Sequence, residues 1–409
     1  MRKHWLFYLV LMITFLFGGS LQLLGIISNT LLTILVSVSI VIHAIFQLFF
    51  RHRLMHLHYL SFLSLALTIV ASAILNSTNA TLTILYFWLF CAIPFLTYYF
   101  SKHQVRHLDT NALIRFLLFV AVIQLPVMIL QRTFYKSIVA LGSRNIGEVD
   151  VSYGTFFLAN DHALCFLVLS LFTFLLFSRT KTPFLNRHIY IFWLALTIIL
   201  SNSKISVILL VIIFSIFMAF RTNVKTLSAV GVLAVIMLFT MTALPSLYDY
   251  VEEKIVYINQ KVTGSQTDEY NLSKAIEAGN AERTQILYYY LNRPIKVLGN
   301  GPYDYYDPIE KKFSLFPNFS QVLWFYNDLG VLSLIMMLSI YAFTFFYTTR
   351  KIDHRLIYLL MIIVYSYFAN TLSDLAFNLI YFVFIFIESQ NSQPKLKAST
   401  NELSMHTIS

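Results

Sequence analysis

Charged residues are scarce in this 409-residue chain. Only 12% of its residues are Asp, Glu, Lys or Arg, whereas 58% are hydrophobic. Ordinary soluble domains carry about 25% charged residues. The low charge content therefore excludes a typical soluble domain and predicts an integral membrane protein.

Cysteine is almost absent as well. The chain has two, Cys91 and Cys165, and both fall within apolar stretches that we interpret as membrane helices. Two isolated cysteines exclude a disulfide framework, and their placement gives no indication of a metal site.

The apolar segments also lack the strand-like alternation of a membrane β-barrel, whose strands alternate over about ten residues. Residues 31–50, LLTILVSVSIVIHAIFQLFF, are continuously apolar. Such runs cross a hydrocarbon core of about 30 Å as helices. We predict an all-α, polytopic membrane protein with twelve transmembrane helices. Their expected spans are 5–22, 26–50, 59–75, 82–100, 112–130, 162–178, 189–200, 205–220, 226–244, 321–347, 356–370 and 375–388.

The connection between two of these spans has two possible forms. The spans 189–200 and 205–220 are short, and residues 201–204 between them fit either a tight turn or a re-entrant kink.

Acidic residues are nearly missing from alternate connections, which are basic instead. Lys and Arg near helix ends are retained on the cytoplasmic side. The basic connections contain Arg2 and Lys3, Arg51 and Arg53, Lys102 and Arg106, Arg179, Lys181 and Arg187, Arg221 and Lys225, and Arg350, Lys351 and Arg355. Both termini are therefore expected in the cytoplasm.

This orientation divides the chain into a membrane domain, residues 1–388, and a polar cytoplasmic tail, residues 389–409. The segments 131–161 and 245–320 become external loops, the larger one lying between helices 9 and 10. The net charge of +10 is explained by basic loops that meet anionic lipid headgroups. Nothing in the pattern indicates a nucleic-acid partner.

Long ordered loops are usually functional, and basic residues in the two external loops indicate an anion site. The helices that begin near His162, Ile205 and Gln321 would point their N-termini outward, where unpaired N–H groups favour anions. An arginine fork binds phosphate at two points, whereas lysine supplies a point charge. The candidate residues are Arg144, Asn160, Asp161, His162, Lys204, Arg283 and Arg293.

Each candidate also has a structural interpretation. The segment around Arg283 and Arg293 could be an amphipathic helix on the membrane surface with solvated cations. Asn160 and Asp161 fit helix caps equally well, and His162 fits a partly buried packing residue. The same region ends in the turn Gly299 to Pro302.

Asp328 is a charged residue inside a predicted membrane helix. A charge there costs roughly 2.5 to 3.5 kcal/mol at the bilayer centre. Such residues usually line a cavity or pair with a cation, so both a functional role and a structural ion pair are open.

Four segments resemble, in family order, the O-antigen ligase and polymerase superfamily. The resemblance is carried by GTFFLANDHALCFL at 154–167, LSNSKISVILLV at 200–211, ERTQILYYYLNRPIKVLGNGPYDYY at 282–306 and VLWFYNDLGVLSL at 322–334. Lys204 stands where the family has arginine.

This resemblance implies a metal-independent glycosyltransferase without a cofactor, which acts outside the cytoplasmic membrane on glycans carried by undecaprenyl pyrophosphate. Its substrate-binding residues would be Arg283, Lys204, Arg144, Arg293 and Asn160, which stabilise charge on the departing pyrophosphate. A base must accept the proton of the acceptor hydroxyl. The candidates are His162, Asp161, Asp304 and Asp307.

One departure from the family separates its branches. Ligases carry a His-Asn or His-Ser pair just before the helix that begins here near Gln321, and the corresponding residues are Phe319 and Ser320. The missing histidine favours a polymerase for capsule, exopolysaccharide or O-antigen. A ligase and a flippase of the lipid-linked unit remain alternatives. The expected partners are the lipid-linked glycan, the bilayer, a flippase and a chain-length regulator.

Overall fold

The described part of the chain is helical. The computed structural model describes residues 4–23, 26–27, 29–50, 57–134, 136–137, 154–156, 161–177, 186–201, 203–220, 290, 293–294, 297–305, 320–349 and 354–391. No strand occurs among these residues, which confirms the all-α class for them. The predicted span 226–244, most of both long loops and the tail 392–409 lie outside the described residues, so the total of twelve helices remains a prediction.

Eleven helices form within the described ranges. They are α1, which joins Trp5–Met12, a π-helical turn at Ile13–Phe17 and Gly18–Leu23; α2, Asn29–Phe50; α3, Leu57–Leu75; α4, Ala80–His107, with a π-helical turn at Trp88–Ala92; α5, Thr110–Thr133; α6, Asp161–Phe177; α7, Arg187–Leu200; α8, Lys204–Phe220; α9, Gln321–Thr349; α10, Leu356–Phe368; and α11, Leu375–Asn391.

Several of these helices suit a membrane. Four described stretches are long and apolar enough to span one: Trp5–Gln22, Ala80–His107, Thr110–Thr133 and Gln321–Thr349. Large apolar side chains also lie on the outer surface, and Ile42 and Ile74 are 64% and 72% exposed. Soluble monomers rarely expose broad apolar patches. Both observations support the predicted membrane protein.

Two helices form the interior of the bundle. Every side chain of α11 from Leu375 to Glu388 is buried, and so are those of α6 from Ala163 to Leu176. α11 packs along α4 and also contacts α6, α9 and α10, while α9 packs along α3. A helix that is apolar on all sides is stable only where neighbours cover it, which explains why these two sequences occupy the centre.

Contacts between connections define two ends of the bundle. At the first, which we call the loop end, Asn76 donates to the Gly299 carbonyl over 3.2 Å and the Gln321 amide donates to the Ala369 carbonyl over 3.2 Å. At the second, the basic end, Gln390 donates to the Val105 carbonyl over 2.7 Å. The grouping agrees with the sequence-based division of connections, whereas the orientation of the ends across a membrane remains a prediction.

The predicted span 321–347 corresponds to α9, Gln321–Thr349, with one break inside it. α9 is interrupted at Gly330, whose φ of 73° and ψ of −173° are not helical. This left-handed φ suits glycine because it has no Cβ to meet the following carbonyl. α9 therefore consists of a short first half, which ends at the break, and a longer second half.

The described residues between α7 and α8 are Ser201, which lies in a turn, and Ser203. α7 ends at Leu200, where the Ser201 amide still bonds the Thr197 carbonyl over 3.1 Å, and α8 begins at Lys204. The 14 residues of α7 extend about 21 Å, less than a hydrocarbon core of about 30 Å. Ser201 and Ser203 are only 2% and 3% exposed, so both serines are buried.

Candidate functional site

Two polar clusters lie at the loop end. The first, which we call the loop cluster, consists of Arg293, Asp304, Asn327 and Asp328 together with the loop 297–305. The second, the histidine cluster, consists of His162, Ser203, Ser206 and Tyr365.

The loop cluster is built on the break in α9. The break leaves helical carbonyl groups without their usual partners, and the loop supplies donors to them. The Asn300 amide bonds the Asn327 carbonyl over 2.9 Å, and the Gly301 amide bonds the Asp328 carbonyl over 3.0 Å. A Cβ on Gly330 would lie 2.1 Å from the Val297 carbonyl oxygen. Glycine at this position therefore permits both the break and the close approach of the loop.

Asp328 is fully buried, and its carboxylate holds the loop from the helix side. It accepts hydrogen bonds from the backbone amides of Tyr303, at 2.9 Å, and Tyr305, at 2.7 Å. Two side chains complete the set: the indole of Trp324 at 2.7 Å and the amide of Asn327 at 2.9 Å. A carboxylate has about four acceptor positions, and N–H donors occupy all of them.

This arrangement differs from the structural ion pair that was one interpretation of Asp328. Among the described residues no cation pairs with its carboxylate. Hydrogen bonds from four N–H groups offset part of the cost of burying it instead.

Arg293 and Asp304, both predicted site residues, are paired with each other. Nη1 of Arg293 lies 2.7 Å from Oδ2 of Asp304, and the two side chains are 25% and 29% exposed. Nη1 also donates to Oδ1 of Asn327 over 3.0 Å. Nε and Nη2 of Arg293 have no partner among the described residues. One nitrogen of the guanidinium is thus fixed, and a two-nitrogen edge is left for an anion.

Asn327 joins the two halves of the loop cluster. Its Nδ2 donates to Oδ2 of Asp304 over 3.0 Å and to Oδ1 of Asp328 over 2.9 Å, while its Oδ1 accepts from Arg293. The side chain is fully buried. Sequence reasoning missed this residue, although an Asn-Asp pair followed by Gly330 inside an apolar helix was a usable signal.

Aromatic rings pack against the loop. The Tyr305 ring stacks on Trp324 with centroids 5.8 Å apart, and the Tyr290 hydroxyl donates to the Tyr305 carbonyl over 2.7 Å. Burial, together with the nearby Asp328 carboxylate, raises the pKa of Tyr303 to about 12. Tyr303 therefore stays protonated at physiological pH and acts as a hydrogen-bonding group, not as a base.

The histidine cluster connects the starts of α6 and α8 with α10. Nδ1 of His162 lies 3.1 Å from the Ser203 hydroxyl, which lies 2.6 Å from the Ser206 hydroxyl. The Ser206 hydroxyl in turn lies 2.6 Å from that of Tyr365. In both hydroxyl pairs either oxygen can donate. Sequence reasoning missed Ser206 and Tyr365, since an isolated hydroxyl in an apolar helix carries little signal.

The remaining predicted residues are placed as follows. Lys204 is exposed at the first position of α8, next to Ser203. Asp161 is the first residue of α6, and its side chain lies outside what the structure describes. Asn160, Arg144, Arg283 and Asp307 lie outside the described residues, so their roles stay predictions. Ser320 is buried, and its hydroxyl accepts from the Leu323 amide over 3.3 Å, as a cap of α9.

An apolar groove opens near the start of α9. It has a volume of about 370 Å³ and lies between α9 and α10, with Val322 and Met337 on one side and Ile363 and Tyr367 on the other. Among the described residues, no group of three or more His, Cys, Asp or Glu side chains could hold a metal ion.

No protein-family model matches the chain, and no curated protein sequence matches it.

Proposed function

We propose that the protein is a polysaccharide polymerase that joins oligosaccharide repeat units carried on undecaprenyl pyrophosphate at the outer face of the cytoplasmic membrane. The observation that carries this proposal is the presentation of Arg293. It lies at the end of an apolar helical bundle, with Nη1 fixed by Asp304 and Asn327. The edge formed by Nε and Nη2 has the geometry for two-point phosphate binding.

The resemblance to the O-antigen ligase and polymerase superfamily gives a second support. Its four segments are distant in sequence, and they meet in pairs in the fold. His162 in the first contacts Ser203 in the second, at 3.1 Å. Tyr303 in the third donates its amide to Asp328 in the fourth, over 2.9 Å.

The apolar groove between α9 and α10 is a third support. A lipid-linked donor requires a place for its headgroup beside a bilayer-facing surface for its chain. A 3.2 Å hydrogen bond joins Gln321, at the start of α9, to Ala369, just after the end of α10. Both residues lie at the loop end, beside the groove between these helices. The groove therefore begins at the same end as both polar clusters.

The proposed reaction transfers a glycan between oxygens. The bond from the donor anomeric carbon to the pyrophosphate oxygen breaks, and a bond to the acceptor hydroxyl oxygen forms. Arg293, with Arg283, Arg144 and Lys204, stabilises the charge on the departing lipid pyrophosphate. His162 is the candidate base that takes the acceptor proton, and its Nδ1 contact with Ser203 orients the ring.

Phe319, at the position where ligases have the histidine of their pair, favours polymerisation over ligation. The position at which ligases have the second residue of their histidine pair is Ser320, and here its hydroxyl caps the helix. A ligase reaction would need a base supplied from elsewhere. The histidine cluster could supply one, so ligation stays the alternative that the genetic test separates.

The test is the analysis of lipid-linked glycans in a deletion strain. Loss of a polymerase leaves single lipid-linked repeats at the outer face. Long unattached chains would instead identify a ligase, and repeats retained at the inner face would identify a flippase. Complementation with Arg293→Ala or Arg283→Ala should fail to restore polymer, whereas Arg115→Ala, an exposed arginine on α5 near the basic end, should restore it.

A further inference from the structure

The break in α9 has a functional consequence beyond the folding of one loop. Two adjacent side chains at this break, Asn327 and Asp328, are both fully buried. Between them they contact the backbone of the loop, the carboxylate of Asp304 and the guanidinium of Arg293.

Asp328 holds the loop. Its carboxylate accepts hydrogen bonds from the amides of Tyr303 and Tyr305, which flank Asp304. Fixing the amide on each side of Asp304 fixes where its side chain emerges. The Asn300 and Gly301 amides, which donate to the Asn327 and Asp328 carbonyls, hold the same segment from its other end.

Asn327 contacts the guanidinium of Arg293. An amide side chain can donate and accept at once, and Asn327 uses both functions. Its Nδ2 donates to Asp304 and Asp328, and its Oδ1 accepts from Nη1 of Arg293. Leucine or alanine could not replace this pattern, and aspartate would place a third carboxylate beside Asp304 and Asp328.

A partly exposed ion pair adds little to stability, so the Arg293–Asp304 pair alone is a weak reason to bury an asparagine beside a carboxylate. Fixing one nitrogen of an arginine is, by contrast, an effective way to orient its other two. Preorganised charge stabilises a developing anion without reorganisation during the reaction.

We propose that Asn327 and Asp328 are positioning residues, which hold Arg293 so that its Nε and Nη2 receive the pyrophosphate of the lipid-linked donor. The identity of this anion rests on the proposed function. Asp328 acts on the loop as a whole, whereas Asn327 acts on the guanidinium, and different measurements separate the two actions.

The loop is tested by cysteine labelling in membranes that contain the full-length protein. Pro302 is buried in the docked loop, and the native Cys91 and Cys165 are also buried. Pro302→Cys should therefore react slowly with a maleimide reagent. Adding Asp328→Asn, which turns a donor toward the loop amides, should accelerate labelling, whereas adding Asn327→Ala should not. Labelling of the Asp328→Asn protein at the unaltered rate would overturn the role of Asp328.

The guanidinium is tested by binding of geranylgeranyl pyrophosphate to the purified full-length protein in detergent, measured by titration calorimetry. Arg293→Ala should weaken binding about tenfold or more, since a hydrogen bond to a charged group is lost. Asn327→Ala should weaken it to a similar extent. The double variant should bind no more weakly than Arg293→Ala, because both changes remove one interaction. Asn111→Ala, an exposed control near the basic end, should bind normally.

The outcomes distinguish the two proposals. If Arg293→Ala weakens binding while Asn327→Ala does not, or if the two losses add, the positioning role is overturned and the proposed function stands. The donor assignment of the proposed function is overturned if the unaltered protein does not bind the pyrophosphate. It is also overturned if the Arg293→Ala protein binds the pyrophosphate as tightly as the unaltered protein does. The labelling result for Asp328 remains valid in either case.

Discussion

The loop cluster and the histidine cluster share one end of the bundle but differ in the kind of hydrogen bond that holds them. In the loop cluster every donor to the Asp328 carboxylate is an N–H group, so the direction of each bond is fixed. In the histidine cluster, hydroxyls at 2.6 Å separations can exchange donor and acceptor roles. The first arrangement suits a fixed charge that binds an anion, and the second suits a group that accepts and passes on a proton.

The largest expected effect comes from the histidine cluster. Replacing His162 with Ala should reduce glycan lengthening by about 100-fold to 10,000-fold, the usual contribution of a general base. The measurement is the initial rate of chain growth on a lipid-linked repeat. The control is His188→Ala, an exposed histidine at the start of α7. Full activity of His162→Ala would remove the distinction between the two clusters.

The next largest effect is expected at the break in α9. Gly330→Ala forces a residue with a Cβ into a backbone conformation, φ 73° and ψ −173°, that is essentially restricted to glycine, at a cost of about 1–3 kcal/mol. It also places that Cβ 2.1 Å from the Val297 carbonyl oxygen. The loop should leave its position, which rapid maleimide labelling of Pro302→Cys would report. Gly18→Ala, where φ is −57°, should leave labelling slow; equal behaviour of the two variants would contradict the account of the break.

A smaller effect is expected when the Arg293 fork is replaced by a point charge. Arg293→Lys keeps the positive charge but loses two-point binding, so the KM for the lipid-linked donor should rise about tenfold, the equivalent of about 1.4 kcal/mol. Steady-state kinetics with varied donor concentration provide the measurement. An unchanged KM would mean that Arg293 contributes charge alone or does not meet the donor.

The smallest effect is expected at the far end of the histidine cluster. Tyr365→Phe removes the hydroxyl next to Ser206, one neutral hydrogen bond of about 1 kcal/mol, and should slow chain growth by several-fold. Tyr358→Phe removes a buried hydroxyl that contacts Glu388 at the basic end and should leave the growth rate unchanged. If both variants slowed growth equally, the effect would be one of packing and not of the histidine cluster.

Much of the helical framework could be predicted from hydropathy. α5 spans Thr110–Thr133 against an expected 112–130, because a long apolar run between polar caps leaves few alternatives. The break in α9 was not predictable from the same pattern, since glycine is common within apolar membrane helices. Its cause is the Val297 carbonyl of the loop, a contact between residues distant in sequence.

The candidate site shows the same division. Arg293 and Asp304 were expected from their residue types, but their pairing was not, because it depends on how the loop folds between them. The partners of Asp328 are backbone amides, which every non-proline residue has and which therefore leave no trace in the sequence. The order of the four resembling segments gave the region of the site, and the fold added Asn327, Ser206 and Tyr365 to it.

The most direct test of the central claim uses the purified full-length protein and an isolated lipid-linked repeat unit from the source strain. We predict that the protein lengthens the glycan, without added metal or nucleotide sugar, and that Arg293→Ala does so at a small fraction of this rate. A purified, folded protein that leaves the single repeats unchanged, or an Arg293→Ala protein that lengthens them at the full rate, would contradict the account.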